Sequence, residues 1–236
     1  MSVTAKGKVK AADGIPPLNG SAPRGGERQR DRARTKGDIL TVATKEFAEK
    51  GYLGARVDDI ATLTRTTKRM IYYYYDSKEG LYRAALQHAY EQIIVPVERY
   101  GVEGLEPIEA IRQIAKVTFD LHDGYPYFAR LISLENMNRG RFIGGDSGIE
   151  VLPRPIIPLL QQLLVAGHEQ GTILREMDAR DVHMFISSLC FFRVNNRFTF
   201  EANFRRDLMS PKTRHRYRNM VGDAVVSLLS SPGEED

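Results

Sequence analysis

The sequence predicts an all-α fold, and three observations lead to this prediction. Apolar residues recur at spacings of three and four along most of the chain, and this spacing places them on one face of a helix. Proline stands at or near the start of several such segments and glycine just past the end, where helix termini favour them. The sequence lacks the period-two alternation and the short turn signals that indicate β-hairpins.

The N-terminal part is expected to be an unstructured arm followed by three short helices. Residues 1–30 are rich in Gly, Pro, Ala and Lys and show no period, so we expect them to be disordered. Gly51 ends the first apolar pattern in the way a residue just past a helix does. The three helices are expected at about 33–51, 57–63 and 67–74.

A run of further helices is expected to fill the rest of the chain. Residues 76–80 interrupt the pattern, and Ser77 can cap the helix that follows. The expected helices cover about 77–100, 107–122, 126–138, 155–170, 178–196 and 211–229, with a Gly-rich loop at 140–148. We therefore divide the chain into a basic arm (1–30), a three-helix domain (31–78) and a larger helical domain (79–236).

The positive charge of the chain is concentrated in the arm. Residues 1–36 contain nine Lys or Arg and three Asp or Glu, a balance of +6, whereas the remaining 200 residues contain 25 and 27, a balance of −2. A basic arm beside a folded domain suggests a polyanionic partner. A solubilising tail explains the same composition equally well.

The composition argues against a membrane protein, a disulfide-bonded secreted protein and an enzyme. The longest apolar stretches, such as 156–165, are far shorter than the roughly 18–20 residues of a membrane helix. The single cysteine, Cys190, rules out a disulfide within the chain and agrees with a reducing cytoplasm. The five histidines have no metal-ligand spacing and no strand leads into a phosphate loop, so no catalytic residue, metal or cofactor is expected.

The three short helices contain the features of a helix-turn-helix. The third helix of such a motif presents basic and hydrogen-bonding side chains outward while apolar residues anchor it inward. Ile71 and Tyr75 are four residues apart and can face the core. Thr67, Lys68 and Arg69 can face outward.

This stretch resembles the DNA-binding domain of TetR-type transcriptional regulators. The matching segments, in order and spacing, are Ile39-Leu40, Ala43, Phe47, Gly51-Tyr52, Val57-Asp58-Asp59-Ile60-Ala61, Thr67-Lys68, the run Ile71 to Tyr75, and Ser77-Lys78-Glu79 with Leu81. The resemblance implies that the chain binds double-stranded operator DNA. It implies contacts from the recognition helix and its surroundings, at Thr67, Lys68, Arg69, Tyr72, Tyr73, Tyr74 and Lys78, with Lys68 or Arg69 reading bases.

The motif departs from the family pattern in the turn and at the second helix. Arg65 and Thr66 stand where the family usually has glycine and an apolar residue, and Ala55-Arg56 stand where a threonine often caps the second helix. We expect a distorted turn and a missing cap that costs about 1 kcal/mol. Arg56, Arg65 and Thr66 are added to the expected DNA contacts.

The C-terminal region is expected to form a homodimer. Tyr125-Pro126, Glu135-Asn136 and the run 191–200 resemble the branch of the family that contains the pyrimidine-responsive regulator. Family members pair through their last two helices. The expected interface residues are Phe185, Leu189, Val221, Val225 and Leu228, although the same apolar stripes suit an intramolecular core.

A small-molecule effector is the second partner that the resemblance implies. Polar residues on mostly apolar helices are candidates to bind it, because buried polar groups must be paired. The candidates are His122, Arg130, Glu135, Asn136, His168 and Asn195. Internal hydrogen bonds would satisfy these residues as well. A closed cavity with polar lining would separate a sensor from a purely architectural DNA-binding protein, and the expected function is a repressor that its effector releases from DNA.

Overall fold

The structure, a computed structural model, describes residues 25–144 and 154–233. It divides into two compact units, 1–35 and 36–236. In the first unit the chain is helical from Gly25, so the expectation of disorder throughout 1–30 is wrong for residues 25–30. The residues that follow Gly26, Glu27 to Arg30, are strong helix formers, which favours a helix here. The rest of that expectation, and residues 145–148 of the Gly-rich loop, lie outside the described residues.

The described chain is helical, as predicted, and its helices follow the expected order. They are α1 (Gly25–Gly54), α2 (Val57–Leu63), α3 (Lys68–Tyr75), α4 (Lys78–Ile93), α5 (Pro107–Gly124), α6 (Pro126–Met137), α7 (Ile156–Glu169), α8 (Ala179–Asn195), α9 (Arg197–Phe204) and α10 (Pro211–Ser230). A short 3-10 helix, Val97–Tyr100, lies between α4 and α5. None of these helices is both long and apolar enough to cross a membrane.

The first helix, expected at about 33–51, begins at Gly25 and continues past the non-helical Gly51 to Gly54, and two further helix boundaries differ from the expectation. The helix after Ser77 ends at Ile93 rather than near Tyr100, because Pro96 lacks an amide hydrogen and disfavours a helical residue before it. The helix expected at 178–196 is followed by a separate one, α9, because Asn196 leaves helical geometry with φ −98° and ψ 8°.

Local capping explains where the helices begin. The side chains of Thr67, Ser77 and Asp178 each accept a hydrogen bond from a backbone N–H of the first turn, as this residue type favours. Arg56 makes no such bond at the start of α2, as expected. Gly80 is required where α3 meets α4, since a Cβ there would collide with the carbonyl oxygen of Tyr75.

One hydrophobic core joins the three-helix domain to α4 and α6. Tyr82 on α4 is fully buried, and its ring centroid lies 4.9 Å from that of Phe47 and 5.0 Å from that of Phe142. Phe128 and Leu131 of α6 belong to the same cluster. The domain boundary expected after residue 78 therefore does not separate two independent cores.

A second core is built around α5, which packs against α7, α8 and α10. Ile111, Ile114 and Phe119 of α5 lie in it at no more than 1% exposure. Cys190 of α8 is buried there as well, and burial raises its pKa to about 12, so the thiol stays protonated and unreactive.

The turn of the helix-turn-helix contains a left-handed residue. Arg65 has φ 52°, so it occupies the conformation for which the family uses glycine. A side chain in this region costs about 1 kcal/mol relative to glycine. The turn therefore contains an arginine in the left-handed region, and its side chain is exposed.

We expect Arg65→Gly to raise the free energy of unfolding by about 0.5–1 kcal/mol, because it removes the left-handed strain. Urea unfolding followed by circular dichroism measures this change. The control Lys45→Gly, at an exposed position inside α1, should lower stability by about 1 kcal/mol. A destabilised Arg65→Gly protein would show that the arginine contributes more than its backbone costs.

Candidate DNA-binding surface and effector cavity

The recognition helix α3 is anchored by one face. Ile71 is fully buried and Tyr75 is 6% exposed, which agrees with the inward role predicted for both. The Tyr75 hydroxyl donates a 3.0 Å hydrogen bond to the backbone oxygen of Lys36 on α1. Burial raises the pKa of Tyr75, so this donor stays protonated. The opposite face of α3 is thereby held outward.

The side chains predicted to contact DNA differ in their solvent exposure. Arg56, Arg65, Thr67, Lys68, Arg69 and Tyr73 are exposed, whereas Thr66, Tyr72, Tyr74 and Lys78 are half-buried. Tyr72 and Tyr74 pack against the first core, so only part of each ring faces solvent. The outward set therefore presents four basic groups, one aromatic ring and one hydroxyl.

Two of the lysines already have protein partners. The Lys68 ammonium lies 3.0 Å from Asp58 of α2, and this hydrogen bond raises the pKa of Lys68. Lys78 donates a 3.4 Å hydrogen bond to the Leu53 carbonyl and lies over the Tyr52 ring. Partial burial lowers the pKa of Lys78. The Lys68 ammonium is thus already paired with a carboxylate of the protein.

A cavity of about 450 Å³ lies in the C-terminal part, within the size range of ligand sites. Helices α4, α5, α6 and α8 form most of its wall, together with residues 154–156. The lining is Tyr90, Ile93, Ile94, Val95, Tyr100, Thr118, Leu121, His122, Phe128, Ile132, Asn136, Arg154, Pro155, Ile156, His183, Met184, Ser187, Ser188 and Phe191. It combines apolar and aromatic walls with few polar groups.

With Thr118, His122 is one of the two most deeply buried polar side chains of this wall. It is 5% exposed, and its Nδ1 atom has no hydrogen-bond partner among the described residues. Burial, and secondarily the nearby His183, lowers the pKa of His122 to about 4. Burial and then the Arg154 charge lower the pKa of His183 in the same way. Both imidazoles are therefore neutral at pH 7.

Only two of the six predicted effector residues, His122 and Asn136, line the cavity. Glu135 is satisfied internally, because it accepts hydrogen bonds from the Tyr82 hydroxyl at 2.8 Å and the Phe142 amide at 3.1 Å. Asn195 accepts a hydrogen bond from Ser133, and Arg130 lies over the Phe198 ring. His168 is exposed on α7. The prediction that these four bind the effector is therefore wrong for this cavity.

The sequence reasoning missed the other polar groups of the wall. His183 and Arg154 lie 29 residues apart and show no shared motif, so only the packing of α8 against the segment before α7 brings them to one cavity. Ser187 stands four residues after His183 on α8, and this helical spacing was the one available signal.

An ionic network ties the cavity helix α5 to α8 and α10. Asp123, next to His122, accepts 2.6 Å hydrogen bonds from Arg193 of α8 and Arg214 of α10. Arg214 and Arg218 also bind Asp120. Burial by itself favours the neutral acid, but the two arginines outweigh it and keep the pKa of Asp123 below its ordinary value. Asp123 therefore stays ionised at neutral pH and fixes three helices at one point.

The residues predicted for the dimer interface fall into two groups. Val221 and Val225 are 3% and 0% exposed and belong to the second core, where α10 packs on α5, so that prediction is wrong for both. Leu189 is 37% exposed on α8, and Phe185 and Leu228 are half-buried. Phe192, which was not predicted, is 54% exposed on the same face of α8.

Protonation of His122 should make stability depend on pH. The pKa is about 6.5 when the residue is unfolded and about 4 when it is folded, so the unfolded state takes up the proton first as the pH falls. Stability is therefore complete above pH 6.5 and falls between pH 6.5 and 4, by on the order of 3 kcal/mol. His183 contributes with the same sign, because burial and then the Arg154 charge oppose its protonation.

The measurement is urea unfolding at several pH values across that window. His122→Leu should lose much less stability on acidification than the unaltered protein. The control is His168→Gln, which changes an exposed histidine and should leave the slope unchanged. Equal slopes for His122→Leu and the unaltered protein would contradict the burial of a neutral imidazole.

Comparisons with known proteins agree with this architecture. Residues 39–85 match the family model for bacterial regulatory proteins of the tetR family, and residues 107–225 match the tetracyclin repressor-like C-terminal domain. The matched segments contain the helix-turn-helix and most of the cavity helices.

Curated relatives include transcriptional repressors. The repressor NicS of Pseudomonas putida is 27% identical over 85% of this chain and 95% of its own length. The biofilm-operon negative regulator IcaR of Staphylococcus epidermidis is 32% identical over 83% and 97%. The regulator RutR of Escherichia coli is 31% identical over 47% of this chain and 51% of RutR.

Solved structures show the same fold. A transcriptional regulator SCO4942 of Streptomyces coelicolor, described as putative, superposes with a TM-score of 0.59 at 24% identity, over 84% of this chain and 99% of its own. The fatty acid degradation regulator FadR of Bacillus halodurans gives 0.57 at 20% identity, over 81% and 97%. These relatives are DNA-binding regulators and not enzymes, and this chain belongs to the TetR family of transcriptional regulators.

Proposed function

We propose that this protein is a repressor that binds a palindromic operator as a homodimer and is released when a small molecule fills the cavity. One observation supports this most directly: α4 and α6 belong both to the core of the DNA-binding motif and to the cavity wall. Tyr82 of α4 lies in that core, while Tyr90 of the same helix lines the cavity. A ligand that moves α4 therefore moves the motif.

The exposed face of α3 supplies the DNA contacts in this proposal. Lys68 and Arg69 read base edges in the major groove, since arginine and lysine bind guanine O6 and N7. Tyr73, Arg56 and Arg65 bind phosphates and set the register. Asp58 holds Lys68 until DNA replaces it. Because the protein binds bacterial DNA in this proposal, we expect it in the cytoplasm.

We expect Lys68→Ala to weaken operator binding by about 1–3 kcal/mol and to relax specificity, as loss of a base contact does. The measurement is fluorescence anisotropy at two salt concentrations with DNA from the upstream region of the protein's own gene, beside scrambled DNA. Lys45→Ala is the matched control, because Lys45 is an exposed lysine on α1.

Asp58→Asn is a second variant for the same measurement, because it removes the ion pair of Lys68 and keeps the lysine itself. If the unaltered protein binds the DNA tightly and specifically and Lys68→Ala binds it equally well, Lys68 does not contact the bases. If the unaltered protein binds neither DNA, a genome-wide selection of bound fragments separates a distant operator from a wrong assignment of the motif.

The second copy in this proposal docks on the outer face of α8. Phe185, Leu189 and Phe192 follow one another at helical spacing and leave an apolar face that is half-buried to exposed. Met220 on α10 is 48% exposed. A dimer is needed mechanically, because two recognition helices must stand about 34–36 Å apart, or a multiple of that, to enter successive major grooves.

Phe192→Glu should convert the dimer to a monomer, because it would bury a carboxylate in an apolar interface without a partner. Sedimentation equilibrium measures the mass, and circular dichroism confirms that the variant remains folded. Val165→Glu places the same charge at a 49% exposed apolar position on α7 and should leave the dimer intact. A folded Phe192→Glu dimer would move the interface elsewhere.

Release follows from a difference in affinity between two conformations. The ligand binds more tightly to the dimer whose recognition helices are wrongly spaced, and so shifts the population away from the DNA-bound form. A tenfold loss of DNA affinity needs a preference of about 1.4 kcal/mol. His122 lies on α5 next to Asp123, whose two arginines join α5 to α8 and α10. This contact gives the ligand a route to the dimer helices.

A further inference from the structure

The cavity wall has an unbalanced charge. Among its described lining residues Arg154 is the one side chain that carries a charge at neutral pH, and no aspartate or glutamate is present. Arg154 forms no ion pair with a described carboxylate, and its guanidinium lies 5.5 Å from the centroid of the Tyr90 ring. A site with a lone cation attracts an anion, because a carboxylate and a guanidinium form strong, often bidentate hydrogen bonds.

The rest of the wall is suited to an apolar body with one polar group. Phe128, Ile132, Leu121 and Ile156 supply apolar surface. The unpaired Nδ1 of His122 lies in the buried part of the wall, whereas Arg154 is exposed at its edge. A cationic ligand would meet Arg154 without any acid to balance it. A fully apolar ligand would leave His122 without a hydrogen bond, which buried polar groups avoid.

We propose that the effector is a small organic carboxylate with an apolar ring body, whose carboxylate binds Arg154 and whose inner polar atom hydrogen-bonds to the His122 imidazole. This inference rests on the proposed function only in naming the ligand an effector. The binding step itself is independent of DNA. His183 lies beside both groups and, being neutral, can add a hydrogen bond to the carboxylate without adding charge.

The test compares each acid with its neutral amide. The probes are benzoate and benzamide, 3-phenylpropionate and 3-phenylpropanamide, and 2-naphthoate and 2-naphthamide, with titration calorimetry on the full-length protein as the readout. At least one acid should bind about tenfold or more tightly than its amide, which equals ~1.4 kcal/mol. Arg154→Gln should remove this difference and leave amide binding unchanged.

Arg216→Gln is the matched control. Arg216 is also an exposed arginine, its guanidinium lies 5.3 Å from the Tyr217 ring, and it does not line the cavity. The preference for acids should survive in this variant. A further probe, 3-hydroxybenzoate, has a polar group on its ring. His122→Leu should weaken the binding of 3-hydroxybenzoate more than it weakens the binding of benzoate. Thermal unfolding of each variant verifies that the fold is retained.

The outcomes separate the two proposals. Acid selectivity that depends on Arg154, without an effect of the acid on DNA binding, supports the ligand class and contradicts release as its function. Amides that bind as well as or better than acids, or an acid preference that persists in Arg154→Gln, overturn the ligand class and leave repression intact. Failure of every acid in the panel to bind overturns the class as well.

Discussion

The buried hydrogen bond between Tyr82 and Glu135 is the contact on which the rest of the architecture depends. It joins α4 to α6 in a core of aliphatic and aromatic side chains, where Tyr82 is fully buried against Phe47 and Phe142. A carboxylate buried at 1% exposure is tolerated because its oxygens accept hydrogen bonds from a hydroxyl and an amide. Loss of either donor would leave a buried acceptor unpaired, at a cost of about 1–3 kcal/mol.

Two buried polar residues on neighbouring helices, Glu135 of α6 and His122 of α5, differ in their hydrogen-bond partners. Glu135 and His122 are both nearly inaccessible, and both stood among the ligand candidates. Glu135 has its hydrogen bonds inside the protein, whereas the Nδ1 atom of His122 has none and faces a cavity. Burial alone therefore does not identify a ligand site. The unmet hydrogen-bonding capacity at a cavity wall does.

The C-terminal part contains an ionic network and, beside it, a cavity with a different charge distribution. Asp120 and Asp123 gather three arginines from α8 and α10 onto α5, so the helix that contains His122 is held by charge as well as by packing. The cavity beside this network has instead one cation and two neutral imidazoles. The network pairs its arginines with aspartates, whereas Arg154 at the cavity forms no ion pair with a described carboxylate.

The sequence by itself determined the features that depend on neighbouring residues. The helix starts at Thr67, Ser77 and Asp178 and the inward positions of Ile71 and Tyr75 follow from capping chemistry and helical spacing over a few residues.

Only the tertiary structure decided which apolar helix faces are buried in the core and which polar groups lie together at the cavity. Val221 and Val225 match a dimer stripe in spacing, yet the packing of α10 on α5 buries both. His183 and Arg154 share no motif and meet because two distant segments pack together. A helical period specifies that a face is apolar, but the partner of that face is a property of the whole chain.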